Sequence, residues 1–193
     1  MPTTTAPRRE QLLEAAAGLF ADRGFHSVGI DDIGAAAGIS GPGVYRHFPS
    51  KSALLAALCD TALNRMLEGA QGISAAHADP RRSLEALVDL HVAFAVDERA
   101  LIAVWVRELH ALPDEVRRPL RRRMRAYEQP WQAVLSSLRD DLAPAEVAVV
   151  TGVTLAMLNA SAHSGSQLGR DDLVRLLRTM ALSALLARPD AFG

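Results

Sequence analysis

One lysine, one cysteine, two tryptophans, two tyrosines and five phenylalanines are all this 193-residue chain has of those types. A lone Cys59 excludes an intrachain disulfide and a cysteine metal cluster, and reads as a small buried residue on a helix. No histidine pair has the four-residue helical spacing of a metal site. No glycine-rich phosphate loop or nucleophile motif is present. These absences argue against an enzyme and imply no metal and no cofactor. Formal net charge is −1, so bulk attraction for polyanions is also lacking. The N-terminus has no apolar stretch of the kind a signal peptide needs. The longest low-charge run, Val147 to Gly165, carries Thr151, Thr154, Asn159, Ser161 and His163, and is too short and polar for a bilayer, which needs about 20 apolar residues. The expectation is a cytoplasmic protein without membrane contact.

What is present is hydrophobic material in helical register. Hydrophobic residues make up 49% of the chain, which excludes disorder and provides a core. Residues 1–7 read as a Thr- and Pro-bearing tail without regular structure. Leu13, Ala16, Ala17 and Phe20 mark the buried stripe of a first helix over residues 8–23, ended by Gly24. A helix from Ser50 to about Leu67 is expected to stop in the Gly69 to Gly72 region, before a polar hinge over residues 74–80. Leu84, Leu87, Val88, His91 and Phe94 define a helix over residues 82–96, and Ile102, Trp105 and Val106 one over 99–109. Pro113 precedes a long helix over residues 114–138, in which Pro130 predicts a kink. The last two helices fall at residues 143–163 and 171–187.

The stretch from Gly24 to Lys51 holds the chemistry. Ile30, Ile33 and Ala37 recur at helical spacing, and Asp31 and Asp32 sit in a first turn, where carboxylates complement the helix dipole. Gly38 can take the positive φ of a helix stop. Ser40 is an N-cap candidate, and Pro42 falls in the next first turn, where its missing N–H does no harm. Pro49 bounds that short helix. Val44 and Phe48, four apart, point inward, which leaves Gly41, Gly43, Tyr45, Arg46 and His47 on or near the outer side. Ser50 then caps a further helix with Lys51 in its first turn, a place suited to an anion. The arrangement reads as a helix-turn-helix with the second helix as candidate reading head, although two short helices with a glycine turn are also common in α proteins that never touch DNA.

Residues Leu12-Leu13, Ala16-Ala17, Leu19-Phe20, Gly24-Phe25, Asp32-Ile33, Ala37-Gly38-Ile39-Ser40, Val44-Tyr45, His47-Phe48, Ser50-Lys51 and Leu54-Leu55 together resemble the DNA-binding domain of the TetR family of transcriptional regulators. The resemblance covers about the first quarter of the chain. It implies an all-α protein of about nine helices. Residues 1–51 would form a three-helix, helix-turn-helix DNA-binding domain, and residues 52–193 a helical ligand-binding and dimerisation domain. Its partners would be a double-stranded palindromic operator, a second copy in a homodimer, and a small-molecule effector of unidentified structure. The expected function is a ligand-responsive repressor, released by a small, largely apolar effector of acyl-coenzyme A or related lipid-like type.

The resemblance sets Ser40, Gly41, Pro42 and Gly43 against base edges, and Tyr45, His47 and Lys51 against phosphates. Arg46 would contact a base or a phosphate. Arg8 and Arg9, at the head of the first helix, are phosphate or minor-groove candidates. Gly29 stands where the family often has a capping Ser or Thr. Effector-lining candidates are the bulky and polar residues His91, Phe94, Trp105, His110, Met124, Tyr127, Trp131 and Asn159. Gly152, Ala156 and Ala160, spaced by four, make a smooth stripe that a second helix can approach. With Leu177, Met180 and Ala184 they form the candidate dimer interface, although burial within one subunit would give the same pattern. The run Arg117-Arg118, Arg121-Arg122-Arg123 and Arg125 fits a solvated helix face, or a site for an anionic head group. The rival function is a helical protein-interaction or structural dimer with a silent reading head.

Overall fold

The computed structural model describes residues 7–76, 78–163 and 167–188 of the chain, together with the backbone alone at His163. Among the described residues there are nine α-helices and no strand. They are α1 (Arg8–Arg23), α2 (Ile30–Ala36), α3 (Gly41–Tyr45), α4 (Lys51–Ala76), α5 (Pro80–Asp97), α6 (Arg99–Glu108), α7 (Asp114–Leu138), α8 (Pro144–Ala160) and α9 (Arg170–Leu186). Single 3₁₀ turns follow α6 and α8. The expected tail over residues 1–7 lies, except for Pro7, outside the described residues.

The helices form two compact units. The first runs to Ala62 and also takes Ala100–Leu120; the second comprises Leu63–Arg99 and the chain from Arg121 onward. In the first, Leu12, Ala16 and Phe20 of α1 are buried with Ile33, Val44, Leu54 and Leu55. Phe20 meets Phe25 edge-on at 5.3 Å, the favoured geometry for two ring quadrupoles. Cys59 is buried here as a small apolar residue, and burial pushes its thiol up to about 12. In the second unit α5 packs on α8 and α9, and α8 on α9. Leu84, Leu87, Trp131, Leu135, Leu158 and Leu185 form its core.

Two glycines expected to end a helix do not. α4 continues through Gly69 and Gly72 to Ala76. A Cβ at Gly69 would lie 2.9 Å from both methyl groups of Leu90, so this glycine lets α4 come close to α5. Close approach sets the packing of Leu90 on the α4 backbone against the roughly 1 kcal/mol that a helical glycine costs. The hinge expected over residues 74–80 shrinks accordingly, because Asp79 caps α5 by accepting from the Arg81 N–H at 3.0 Å. α7 continues through Pro119 and Pro130. At its end Arg139 is buried and holds Asp141 through two bonds of 2.8 and 2.7 Å, while its third arm donates to the Leu185 carbonyl. That arginine holds the Asp141 carboxyl down at about 2.

Candidate nucleic-acid interface and effector cluster

In the first unit the turn between α2 and α3 is set by backbone geometry. Gly38 has φ +70°, and the Gly38 and Ile39 N–H groups donate back to the carbonyls of Ala35 and Gly34. This is a Schellman close, which satisfies carbonyls that a helix end would otherwise leave unpaired. The returning chain passes so near α2 that a Cβ at Gly34 would sit 2.8 Å from the Ile39 carbonyl oxygen. At the other end of α2, Asp32 accepts from the Gly29 N–H at 2.7 Å, the one half of a capping box that a glycine N-cap leaves possible.

Along α3 and the turn that follows it, Val44 and Phe48 are buried as expected, and Tyr45, Arg46 and His47 are exposed. Tyr45 is 54% exposed, an unusual cost for a large aromatic with no described intrachain role. Ser40 caps α3 without using its hydroxyl for a capping bond, and both Ser40 and Pro42 are exposed. Gly41 and Gly43 differ from the expected outer placement, because both are buried. A Cβ at Gly41 would strike the Asp31 carboxylate at 1.9 Å, and one at Gly43 would lie 3.3 Å from Ile39. These glycines let α3 seat closely on the preceding helix and turn.

The cations also depart from their expected roles. Lys51 turns inward: its Nζ donates to the carbonyls of Phe25 at 2.8 Å and Val28 at 2.9 Å, and sits 4.5 Å from the Phe25 ring centre. With those donors engaged, it serves as a latch on the loop between α1 and α2 and is not free for a phosphate. Arg8 donates to the Ala37 carbonyl at 2.9 Å and to Gln11 at 2.8 Å, tying the start of α1 to the end of α2. The Arg9 guanidinium lies over the Phe48 ring at 5.0 Å. Arg46 and His47, just past the end of α3, join the exposed hydroxyls of Ser40 and Tyr45 as hydrogen-bonding groups held out from the reading head.

The second unit holds six of the eight effector candidates and brings four of them together. His91 Nδ1 is 3.0 Å from the Tyr127 hydroxyl, and its Nε2 is 3.0 Å from Asn159 Oδ1. The Nε2–H tautomer satisfies both: Tyr127 donates to Nδ1 and Nε2–H donates to Asn159. Trp131 meets His91 edge-on at 6.0 Å. Burial pushes His91 down to about 4 against the pull of the Asn159 bond, so the ring is neutral. Burial also pushes the Tyr127 hydroxyl well up. Among the described residues, Thr151 Oγ1 is buried without a hydrogen-bond partner, whereas the Trp131 indole N–H lies toward the Tyr127 hydroxyl and favours its ionised form. A buried orphan is rare, and Thr151 can answer a polar group on a bound molecule. Thr151 was not foreseen, since a threonine at helical spacing looks like any other core-facing position. Phe94 and Met124 are half-buried. Trp105 and His110 belong to the first unit, where the His110 carbonyl accepts from Arg117.

The α8–α9 surface carries a third feature. Gly152, Ala156, Ala160, Met180 and Ala184 are partly or fully exposed, joined by Val149, Val153 and Leu176, which are 63%, 64% and 46% exposed. Leu177, expected at the interface, is instead buried in the core of its own subunit. Its position on α9 falls on the side that meets α5 and α8. No described helix is long and apolar enough to cross a membrane.

The chain matches the profile described as bacterial regulatory proteins, tetR family, over residues 12–58, and that described as tetracyclin repressor-like, C-terminal domain, over residues 77–184. It is 39% identical over 82 residues to the HTH-type transcriptional activator FasR of Mycolicibacterium smegmatis, covering 42% of this chain and 37% of that protein. It is 30% identical over 131 residues to the HTH-type transcriptional repressor KstR2 of Rhodococcus jostii, covering 67% of this chain and 64% of that one. Both matches span less than two thirds of the relative's own length. The structure of AibR in complex with isovaleryl coenzyme A and operator DNA has the same fold, with a TM-score of 0.78 at 20% identity over 90% of this chain and 97% of that one.

Proposed function

Because the chain belongs to the TetR family of bacterial regulatory proteins, we propose that it is a ligand-responsive, DNA-binding transcriptional regulator of the cytoplasm, and not an enzyme. The observation that carries this reading is the tip of α3. Tyr45 at the end of α3, and Arg46 and His47 in the turn after it, stand exposed, while Val44 and Phe48 pin the segment from the inside. An aromatic and two hydrogen-bonding side chains held out from a rigid seat can meet phosphates and base edges. Residues 1–51 supply this reading head; the remainder supplies the effector and dimer functions.

The regulator works as a homodimer through the apolar α8–α9 face, since one short helix touches too few bases for specificity. Two heads then read half-sites about 34–36 Å apart on one side of a palindrome. It acts as a repressor. A small, largely apolar effector of acyl-thioester type binds the helical part of the chain that follows the reading head. Release of DNA follows if the effector prefers the DNA-incompetent state, and the coupling is reciprocal.

Selection of bound duplexes from a random pool, followed by footprinting, tests the reading. A palindromic footprint is expected, weakened for Tyr45→Ala and Arg46→Ala proteins that melt like the parent. Failure to enrich any sequence at low salt would favour the silent-head alternative.

A further inference from the structure

Ala126, Pro130 and Ala133 of α7 face Leu67, Ala70 and Ser74 of α4 across an open groove of about 380 Å³. A second groove of about 290 Å³ shares Ser74, Pro130 and Ala133 and carries the channel on past Pro80 and Val134. The facing positions are mostly alanine and serine, too small to fill the space between the helices. Other lining residues are polar only as amides or hydroxyls, and no acid lines either groove. From Ala126 to Ser137 the channel follows α7 for about 16 Å.

One end of this channel is cationic. Arg122 and Arg125 precede Ala126 and Gln129 by four residues each, so they lie one turn along the same helical face. Arg121, Arg122 and Arg125 are all exposed. Arg121 and Arg122 have no acidic partner among the described residues, and Arg125 has only the nearby Glu128, half-buried and itself pushed toward neutrality by burial. At the same level Arg123 bonds Asn64 of α4, so the two helices are tied together where the groove begins. The α7 arginine run thus has two parts: Arg117 and Arg118 form ordinary ion pairs with Asp114, and Arg121, Arg122 and Arg125 are left over.

We infer that the α4–α7 groove binds a single-chain amphiphile, its alkyl or acyl tail along Ala70, Pro130 and Ala133 and its phosphate or carboxylate head on Arg122 and Arg125. The tail gains by leaving water, and guanidinium forks suit the planar or tetrahedral oxyanion. The binding step stands on the groove alone; its regulatory consequence rests on the function proposed above.

Titration calorimetry of the full chain with dodecyl phosphate, dodecanoate, dodecyl maltoside and inorganic phosphate, each below its micellar concentration, tests this. Both anionic amphiphiles should bind, with the tighter of the two naming the head group. Affinity should rise about fourfold per methylene until the groove is full. Arg122→Gln with Arg125→Gln should weaken binding about tenfold, and Ala133→Trp, at an exposed position, should abolish it while the melting curve stays that of the parent. Equal binding of the maltoside, indifference to the arginine pair, or no binding at all would overturn the assignment. Dodecyl phosphate that binds but leaves a footprinted operator occupied would overturn its role as effector. Absence of any DNA binding would count against the proposed function and leave the calorimetric result standing.

Discussion

Replacing Lys51 by methionine separates two roles that the amino-acid sequence alone cannot distinguish. Methionine keeps the apolar stem and removes the ammonium, together with its bonds to the Phe25 and Val28 carbonyls and its place by the Phe25 ring. A hydrogen bond from a charged donor contributes about 1.5–3 kcal/mol, and a ring–cation contact about 0.5–1 kcal/mol. Lys51 is half-buried, so water can reach part of what it leaves, and the net loss should be about 2 kcal/mol. That corresponds to about 4–8 °C in melting temperature for a chain of this size. Operator affinity should fall, because the loop that seats the reading head loosens. The salt dependence should not change. Each phosphate contact removed lowers the slope of log K against log salt by about 0.9, and a latch removes none. Melting curves and mobility shifts at four salt concentrations read both quantities. Parental stability with a slope shallower by about one would refute the latch and restore Lys51 to the DNA backbone.

Gly34→Ala should cost about 1–3 kcal/mol and weaken DNA binding, since its methyl meets the Ile39 carbonyl, which belongs to the backbone and cannot rotate away; urea denaturation measures it. His91 is held neutral, so the unfolded chain takes up a proton below about pH 6.5 that the folded chain refuses until about pH 4. Stability should therefore fall as pH drops through that window, by up to about 1.4 kcal/mol per pH unit, and level off below it. A His91→Gln protein should lack that slope. Asp141 acts in the same direction at lower pH: its lowered carboxyl stabilises the fold above about pH 4, and that contribution is lost toward pH 2, most visibly against Arg139→Met. Val153→Glu places a charge on the exposed α8 face and should leave the monomer folded while sedimentation shows the dimer dissociated.

How much of this was legible beforehand differs between helix edges and helix faces. The α1 and α7 bounds, the positive φ at Gly38 and the inward Val44 and Phe48 follow from local rules, because turns, caps and a four-residue repeat involve neighbours in the chain. Gly69 was misread for the opposite reason. Its role depends on Leu90, 21 residues away, and nothing beside it in the chain announces that contact. Leu177 and Met180 look alike on α9, yet one is buried and the other open, a distinction made by where α5 and α8 lie.

An all-helical chain with a helix-turn-helix near its start follows from residue order, since hydrophobic period and turn chemistry are written in adjacent residues. Which polar groups are spent inside the molecule, and which remain for a partner, is settled by packing between distant segments. Lys51 and Arg8 found backbone carbonyls, Gly41 and Gly43 became spacers, and His91 closed a chain with Tyr127 and Asn159. Each of those outcomes depends on atoms brought together from distant positions, at distances of about 3 Å that no one-dimensional spacing specifies.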